Sequence, residues 1–124
     1  MHERSKLGTL GETLVIKWLE KKQVTILARN YSCKGGEVDI IAIKDNILAF
    51  IEVKTRKKEY FPTPLVVTYP KQQKIIRAAK FYIMKHNISD KILRFDIASV
   101  QINDKKYSVN YIRNAFTQRY NPSF

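Results

Sequence analysis

The sequence lacks several features that would place it in common protein classes. Its 124 residues include one cysteine, Cys33, so no intramolecular disulfide can form, which fits a reducing compartment. No apolar run approaches the roughly 20 residues that span a bilayer; the longest covers residues 47–51. The amino-terminal segment MHERSKLGTLGE carries charges without a following apolar stretch, so it does not resemble a signal peptide. These absences predict a cytoplasmic protein that does not enter the membrane.

Acidic residues are also scarce. The chain has 11 Asp and Glu against 23 Lys and Arg, a formal net charge of +12. This excess suits a polyanionic partner, either nucleic acid or an anionic membrane surface, and charge by itself does not choose between them. A basic structural protein of a ribonucleoprotein has the same composition. The length predicts one domain over residues 1–120, with a loose tail at 121–124.

Apolar periodicity predicts two helices and five strands. Leu7, Leu10, Leu14 and Trp18 recur at helical spacing. The predicted helices cover residues 5–22 and the stretch from the Thr68 cap to about 86. The predicted strands cover 24–30, 37–44, 47–54, 92–102 and 107–112. Residues 32–36 and 55–70 are expected to be loops. This order, αβββαββ, predicts an α/β fold with one mixed sheet flanked by helices.

The hairpin predicted around Asp45-Asn46 carries an unusual set of charges. A turn centred between these two residues pairs positions whose numbers sum to 91, so Asp39 faces Glu52 and Glu37 faces Lys54. The period of two places Glu37 and Asp39 on one face with Ile41 and Ile43. The open end of the hairpin would then hold three carboxylates and one ammonium group on an otherwise apolar face.

Two opposed carboxylates destabilise a strand pair unless a cation lies between them. Carboxylate oxygens suit Mg²⁺, with Mn²⁺ as a substitute, and Lys54 would add a charge able to hold a water or steady a phosphate. A purely structural role for these charged residues remains an open alternative. The E-x-K pattern also occurs at Glu20-Lys21-Lys22, and Glu37 with Lys54 would make an ordinary cross-strand ion pair.

Beyond these acids, motifs along most of the chain resemble a known family. The matching segments are Gly11-Glu12, Arg29-Asn30, GEVDIIA at 36–42, FIEVKTR at 50–56, Lys71-Gln72, Arg94-Phe95-Asp96 and Asn114-Ala115-Phe116. Together they resemble the YraN family of small bacterial proteins predicted to be endonucleases. That family is assigned to the PD-(D/E)xK superfamily, which shares the restriction-endonuclease-like fold and includes archaeal Holliday-junction resolvases.

The resemblance implies a role for individual residues. Asp39 and Glu52 would be metal ligands, Lys54 the catalytic lysine, and Glu12 a helix acid that contacts the metal directly or through water. Gly36-Glu37 and Lys71-Gln72 match pairs that the family places near the site and the DNA. A homodimer is implied because resolvases act as dimers. The segment Phe61-Pro62-Thr63-Pro64 departs from relatives with a glycine in this loop, so the substrate-side loop is expected to differ.

Basic residues adjoin the predicted site. The residues expected to contact nucleic-acid phosphates are Arg56, Lys57, Lys58, Lys71, Gln72, Lys74 and Arg77. Tyr60, Phe61 and Tyr69 would either stack on unpaired bases or pack the loop down. Asp96, inside an apolar strand run, is interpreted as a buried structural acid that binds Arg94 or a backbone amide.

The acids and the resemblance together favour a Mg²⁺-dependent DNA endonuclease, and the resemblance to junction resolvases implies that it is structure-selective. The alternative is a protein that retains the nuclease fold and only binds DNA or RNA. The two hypotheses differ in whether the acids bind a divalent cation.

Overall fold

The computed structural model describes residues 5–57 and 66–117. The elements in chain order are α1 (Lys6–Lys21), β1 (Thr25–Cys33), β2 (Gly36–Lys44), β3 (Ile47–Lys57), α2 (Tyr69–Lys85), β4 (Ile92–Asn103) and β5 (Lys106–Phe116). This order confirms the αβββαββ prediction. Within the described ranges, neither helix has the length and apolar character needed to cross a membrane.

The five strands form one mixed sheet in the order β1-β2-β3-β4-β5. All neighbouring strands are antiparallel except β3 and β4, which are parallel. A parallel pair needs a long crossover connection, and the segment containing α2 provides it. The mixed sheet with helices packed on it is consistent with a restriction-endonuclease-like core.

The helix ends follow local capping rules. Ser5 caps α1, and its hydroxyl accepts a hydrogen bond of 2.9 Å from the backbone amide of Gly8. Thr68 occupies the corresponding position before α2, as predicted, but its side chain makes no capping hydrogen bond. Pro70 lies in the first turn of α2, where a missing amide hydrogen costs nothing.

Two apolar clusters, one on each face of the sheet, hold the helices in place. The α2 face buries Ile41, Leu48 and Phe50 against the Ile75–Tyr82 side of α2. The α1 face buries Val15 and Leu19 against the alternate strand positions, among them Ile40, Ala42, Ala49 and Ile51. Strands covered on both faces have few polar positions, so the buried acids of β2 and β3 stand out.

Several strands extend further than their sequence pattern predicts. Ser32, Cys33 and Gly36 belong to strands rather than to a loop, and only Lys34-Gly35 forms the turn. Gly35 adopts a φ of 78°, which a side chain would disfavour. β3 continues to Lys57 because its pairing with β4 runs to Lys57↔Ile102, a contact that the local pattern does not contain.

Candidate functional site

The β2–β3 hairpin has the predicted register over its closed half. Its pairs run from Lys44↔Ile47 to Ile40↔Ile51, so each pair sums to 91. The ladder ends there, and the backbones of Asp39 and Glu52 are not paired as predicted. Oδ2 of Asp39 instead accepts a hydrogen bond of 2.8 Å from the backbone amide of Val53. The Asp39 carboxylate thus takes the place of the strand backbone where the two strands separate.

The regular alternation of faces also breaks at this point, which corrects the prediction that Glu37, Asp39, Ile41 and Ile43 share one face. Val38 and Ile41 both pack in the α2 cluster although three positions separate them. In a regular strand, an odd interval places two side chains on opposite faces. The interruption lies where the ladder ends, and it turns Asp39 toward β3 rather than straight onto α2.

Despite the open ladder, the side chains of Asp39 and Glu52 meet. Both residues are buried, with 7% and 8% of their surface exposed. Burial, a hydrogen bond to Asp39 and the Asp39 charge raise the pKa of Glu52 from 4.5 to about 9, while Lys71 and Lys54 oppose the shift. A shared proton therefore resolves the repulsion between the two acids when no metal is bound.

Lys71 of α2 lies closer to this acidic pair than the sequence indicated. Its Nζ is 2.8 Å from Oε1 of Glu37 and 3.8 Å from Oε2 of Glu52. Burial works against its charge, but the hydrogen bond to Glu37 and the nearby Glu52 raise the pKa of Lys71. Glu37 therefore pairs with Lys71 and not with Lys54, its predicted partner, because the hairpin ladder stops before reaching them.

Lys54 sits near Glu52 and contacts the segment that precedes α2. Its Nζ donates a hydrogen bond to the backbone carbonyl of Val66. Burial and the positive charge of Arg56 lower the pKa of Lys54, and Glu52 partly offsets this. A lysine whose charge is disfavoured releases a proton more readily than a solvated one.

Glu12 lies on the other helix, α1. It is only 3% exposed, and its Oε1 lies 3.5 Å from Nε of Arg29. Arg29 also donates to the carbonyl of Thr9 and the hydroxyl of Thr13, so it fastens α1 to β1. The pairing of Glu12 with Arg29 was not anticipated, since no local pattern links residues on a helix and a separate strand.

The close approach of α1 to the sheet depends on a glycine. A Cβ placed on Gly11 would lie 1.8 Å from Oγ1 of Thr55 on β3. Any side chain at this position would push the helix outward. Gly11 thus sets the depth at which the neighbouring Glu12 is buried.

The donor chemistry at the hairpin suits a small divalent cation. Within residues 5–57 and 66–117, no three acidic, histidine or cysteine side chains gather closely enough to hold a metal, so a cation at the hairpin would have two carboxylate ligands, Asp39 and Glu52. Mg²⁺ commonly uses one or two carboxylates and completes its octahedron with water and phosphate oxygens. The pair therefore fits Mg²⁺, and a role for Glu12 as a further ligand stays a prediction.

The residues predicted to contact nucleic acid lie in different parts of the fold. Lys74 and Arg77 are exposed on α2, and Arg77 lies across the β1–β2 turn, where its Nη1 would be 2.6 Å from a Cβ on Gly35. Gln72 donates a hydrogen bond of 2.9 Å to the carbonyl of Val67, so it holds the start of α2. Arg56 and Lys57 end β3. Lys58, Tyr60 and Phe61, like the tail at 121–124, lie outside the described residues.

Asp96 forms a second buried polar cluster, separate from the acidic pair. It is fully buried and accepts hydrogen bonds from Nε of Arg94 at 3.1 Å, the hydroxyl of Tyr111 at 2.5 Å and the backbone amide of Asn114 at 3.0 Å. Burial and the Asp96 charge raise the pKa of Tyr111. These contacts confirm the prediction that Asp96 is buried and bound by Arg94 and a backbone amide.

The fold and the paired acids define an α/β protein with a mixed five-stranded sheet and a carboxylate pair at the open end of its β2–β3 hairpin. The family model of the Uncharacterised protein family UPF0102 matches residues 11–100, and the chain belongs to that family. The matched range includes Glu12, Asp39, Glu52, Lys54 and Lys71. The membership confirms the YraN-type resemblance that the motifs indicated.

Curated relatives match along nearly their whole length. A UPF0102 protein of Clostridium perfringens is 42% identical over 113 residues, which cover 89% of this chain and 93% of the relative. One from Alkaliphilus oremlandii is 43% identical over 114 residues, covering 90% and 97%. One from Geobacter metallireducens is 39% identical over 121 residues, covering 97% and 98%.

Proposed function

We propose that this protein is a Mg²⁺-dependent DNA endonuclease that hydrolyses phosphodiester bonds. The observation that carries the proposal is the buried pair Asp39 and Glu52, which share a hydrogen bond in the core beside two lysines. Burying two carboxylates together costs folding free energy, because each loses water and each repels the other. A bound divalent cation would offset both costs.

Each side chain has a distinct part in the proposed reaction. Asp39 and Glu52 supply the oxygen donors, and the Val53 amide holds Asp39 in place. A bound Mg²⁺ supplies Lewis-acid activation of water and neutralises phosphate charge. Lys54 holds the attacking water or steadies the charge that develops on the phosphate, and its lowered pKa eases proton exchange with that water.

The charge of the protein supplies the affinity for the substrate. The protein has a net charge of +12, and Lys74 and Arg77 are exposed on α2, the helix whose Lys71 lies beside Glu52. In this proposal the exposed Lys74 and Arg77 contact backbone phosphates of the substrate. Contacts of this kind read the backbone rather than the bases, which favours selectivity for DNA structure over sequence. A homodimer would present two such sites to a branched substrate.

A specific observation supports the second candidate, a non-catalytic DNA- or RNA-binding protein on the same fold. Lys71 already bonds Glu37 and lies 3.8 Å from Glu52. An ammonium group at this position compensates part of the negative charge that a metal would neutralise. In a pure binding protein, Lys71 and the shared proton would together make the acidic pair tolerable without a cation.

An incubation panel distinguishes the two candidates. Duplex, single-stranded, flap and four-way DNA are incubated with Mg²⁺, with Mn²⁺ and with EDTA, using wild type and Asp39→Asn. The nuclease proposal expects cleavage that needs the metal and is lost in Asp39→Asn. Asp104→Asn is the matched control, since Asp104 is an exposed acid in the β4–β5 turn with a φ of 52° that Asn tolerates.

Binding data complete the test. Calorimetric titration with Mn²⁺ should show one site in wild type and in Asp104→Asn, and none in Glu52→Gln. Full DNA binding without metal uptake or cleavage on any substrate would favour the binding protein. Cleavage that persists unchanged in Asp39→Asn would remove the nuclease assignment to this site.

A further inference from the structure

A cavity of about 240 Å³ opens on the α1 face of the sheet near the turn that joins β2 to β3. Its lining includes Ala42 and Ala49, which face each other in the hairpin ladder, and Asp45 in the turn. The acidic pair lies beyond the opposite end of that ladder, after Ile40. The cavity is therefore distinct from the proposed metal site.

Small side chains create the floor of this cavity. Ala42 and Ala49 are buried, and in each strand the neighbouring position on the same face is an isoleucine, Ile40 or Ile51. Protein interiors are close-packed, so larger residues at the alanine positions would fill the space. Leu19 of α1 completes an apolar floor.

Positive charge surrounds this apolar floor. Four cationic residues line the cavity, Lys22, Lys44, Arg94 and Arg113, and the guanidinium of Arg94 is already paired with the buried Asp96. Asp45 is the only carboxylate among the lining residues. Lys44 is held in place by a hydrogen bond of 2.9 Å from its Nζ to the carbonyl of Lys22. The excess of cations favours an anionic ligand, and arginine forks match phosphate oxygens.

An aromatic wall borders the cations. Trp18 and Tyr111 stack with their ring centroids 5.4 Å apart and an interplanar angle of 24°. Nζ of Lys22 lies 4.7 Å from the centre of the Trp18 ring. A ligand in this cavity would therefore meet aromatic rings and cationic groups close together.

We infer that the cavity binds a nucleotide phosphate, with the phosphate among the cationic side chains and the flat base against the apolar part of the lining. A free mononucleotide and the 5′-phosphorylated end of a DNA strand present the same chemistry. The inference goes beyond the nuclease proposal and does not rest on it, because the two sites share no residue.

The protein contains its own reporter of binding at this cavity. Trp18 is the single tryptophan of the chain and lies in the lining, so its fluorescence reports on this place alone. Titration with adenosine monophosphate, in EDTA, is expected to give a saturable change. Adenosine and inorganic phosphate, each carrying half of the recognised chemistry, should bind about tenfold more weakly or worse.

Two variants locate the response. Ala49→Leu fills the floor and is expected to abolish the saturable change, with circular dichroism checking that the sheet persists. Arg113→Gln removes an exposed cation without touching the core and should weaken binding about tenfold. Lys85→Gln, which loses the same charge at the end of α2 on the other face, is the matched control and should bind like wild type.

A second titration distinguishes a free mononucleotide from the 5′-phosphorylated end of a DNA strand as the ligand. An oligonucleotide with a 5′-phosphate is compared with the same strand ending in a 5′-hydroxyl. Preference for the phosphorylated strand over adenosine monophosphate identifies a strand end, and the reverse order identifies a free nucleotide. The inference is overturned if neither adenosine monophosphate nor the phosphorylated strand gives a saturable response. It is also overturned if Ala49→Leu and Arg113→Gln both respond like wild type. Glu52→Gln should keep the response whether or not the nuclease proposal holds.

Discussion

The backbone amide of Val53 donates a 2.8 Å hydrogen bond to the side chain of Asp39, at the point where β2 and β3 stop pairing. The same Asp39 side chain is also hydrogen-bonded to Glu52, so it has a partner on each side. An acid held in this way need not change its rotamer to bind a cation. The candidate site therefore lies where the pairing of β2 with β3 ends, because the Asp39 side chain accepts the hydrogen bond of the Val53 amide there.

Replacing Lys54 by arginine tests whether the proposed reaction needs the lysine ammonium group itself or only its positive charge. Arginine keeps the positive charge, but its pKa is too high for proton exchange and its planar group differs from an ammonium in shape. We expect a loss of Mg²⁺-dependent cleavage of about 10²-fold or more, with DNA affinity within about twofold of wild type. Single-turnover cleavage and fluorescence anisotropy measure the two quantities. Lys106→Arg, at the exposed start of β5, is the control, and equal losses in both variants would contradict the assignment.

The raised pKa of Glu52 predicts a pH-dependent stability in the absence of metal. Below 4.5, Glu52 is protonated in the folded and unfolded states; between 4.5 and about 9, only the folded state keeps the proton. The stabilising contribution is therefore full at low pH and is lost as the pH rises toward about 9, with a slope of up to about 1.4 kcal/mol per pH unit. Urea unfolding at a series of pH values measures the slope.

Glu52→Gln tests the origin of that slope. The amide does not titrate, so this component of the pH dependence should disappear in the variant. Saturating Mg²⁺ should also flatten the wild-type profile under the metal proposal, because a bound cation favours the ionised pair. An unchanged slope in Glu52→Gln would mean that another group takes up the proton.

Salt dependence measures how many phosphates α2 contacts. Removing one phosphate contact lowers the slope of log K against log salt concentration by about 0.9 for duplex DNA. We expect this change for Lys74→Gln and for Arg77→Gln, and none for Lys105→Gln in the β4–β5 turn. An identical shift in all three variants would indicate a diffuse effect of net charge instead of a defined surface.

Asp96 should stabilise the fold without taking part in cleavage. Asp96→Ala leaves Arg94 and the Tyr111 hydroxyl without their buried acceptor, and breaking a buried pair of this kind costs about 3–5 kcal/mol. Asp90→Ala, which breaks an exposed pair with Lys91, should cost less than about 0.5 kcal/mol. Urea unfolding measures both. A stable Asp96→Ala protein that no longer cleaves DNA would reassign Asp96 to the active site.

Local signals were sufficient for the elements and for half of the hairpin. The spacing of Leu7, Leu10, Leu14 and Trp18 predicted α1, and the Asp45-Asn46 turn predicted each pair from Lys44↔Ile47 to Ile40↔Ile51. A turn sets the register of a hairpin, so these pairs need no knowledge of the rest of the fold. The full lengths of β1, β3 and β5 escaped prediction because pairing with neighbouring strands extends them, and for β3 that neighbour, β4, is distant in sequence.

The sequence by itself thus determined which residue types are available: a basic chain, apolar strands and a few acids at fixed intervals along β2 and β3. Only the tertiary structure decided how those acids are used. It ended the ladder at Ile40, brought Lys71 to Glu37, and placed Arg29 beside Glu12. The physical reason is that periodicity acts along one element, whereas charge pairing and the burial of Asp39 and Glu52 depend on elements that meet only after folding.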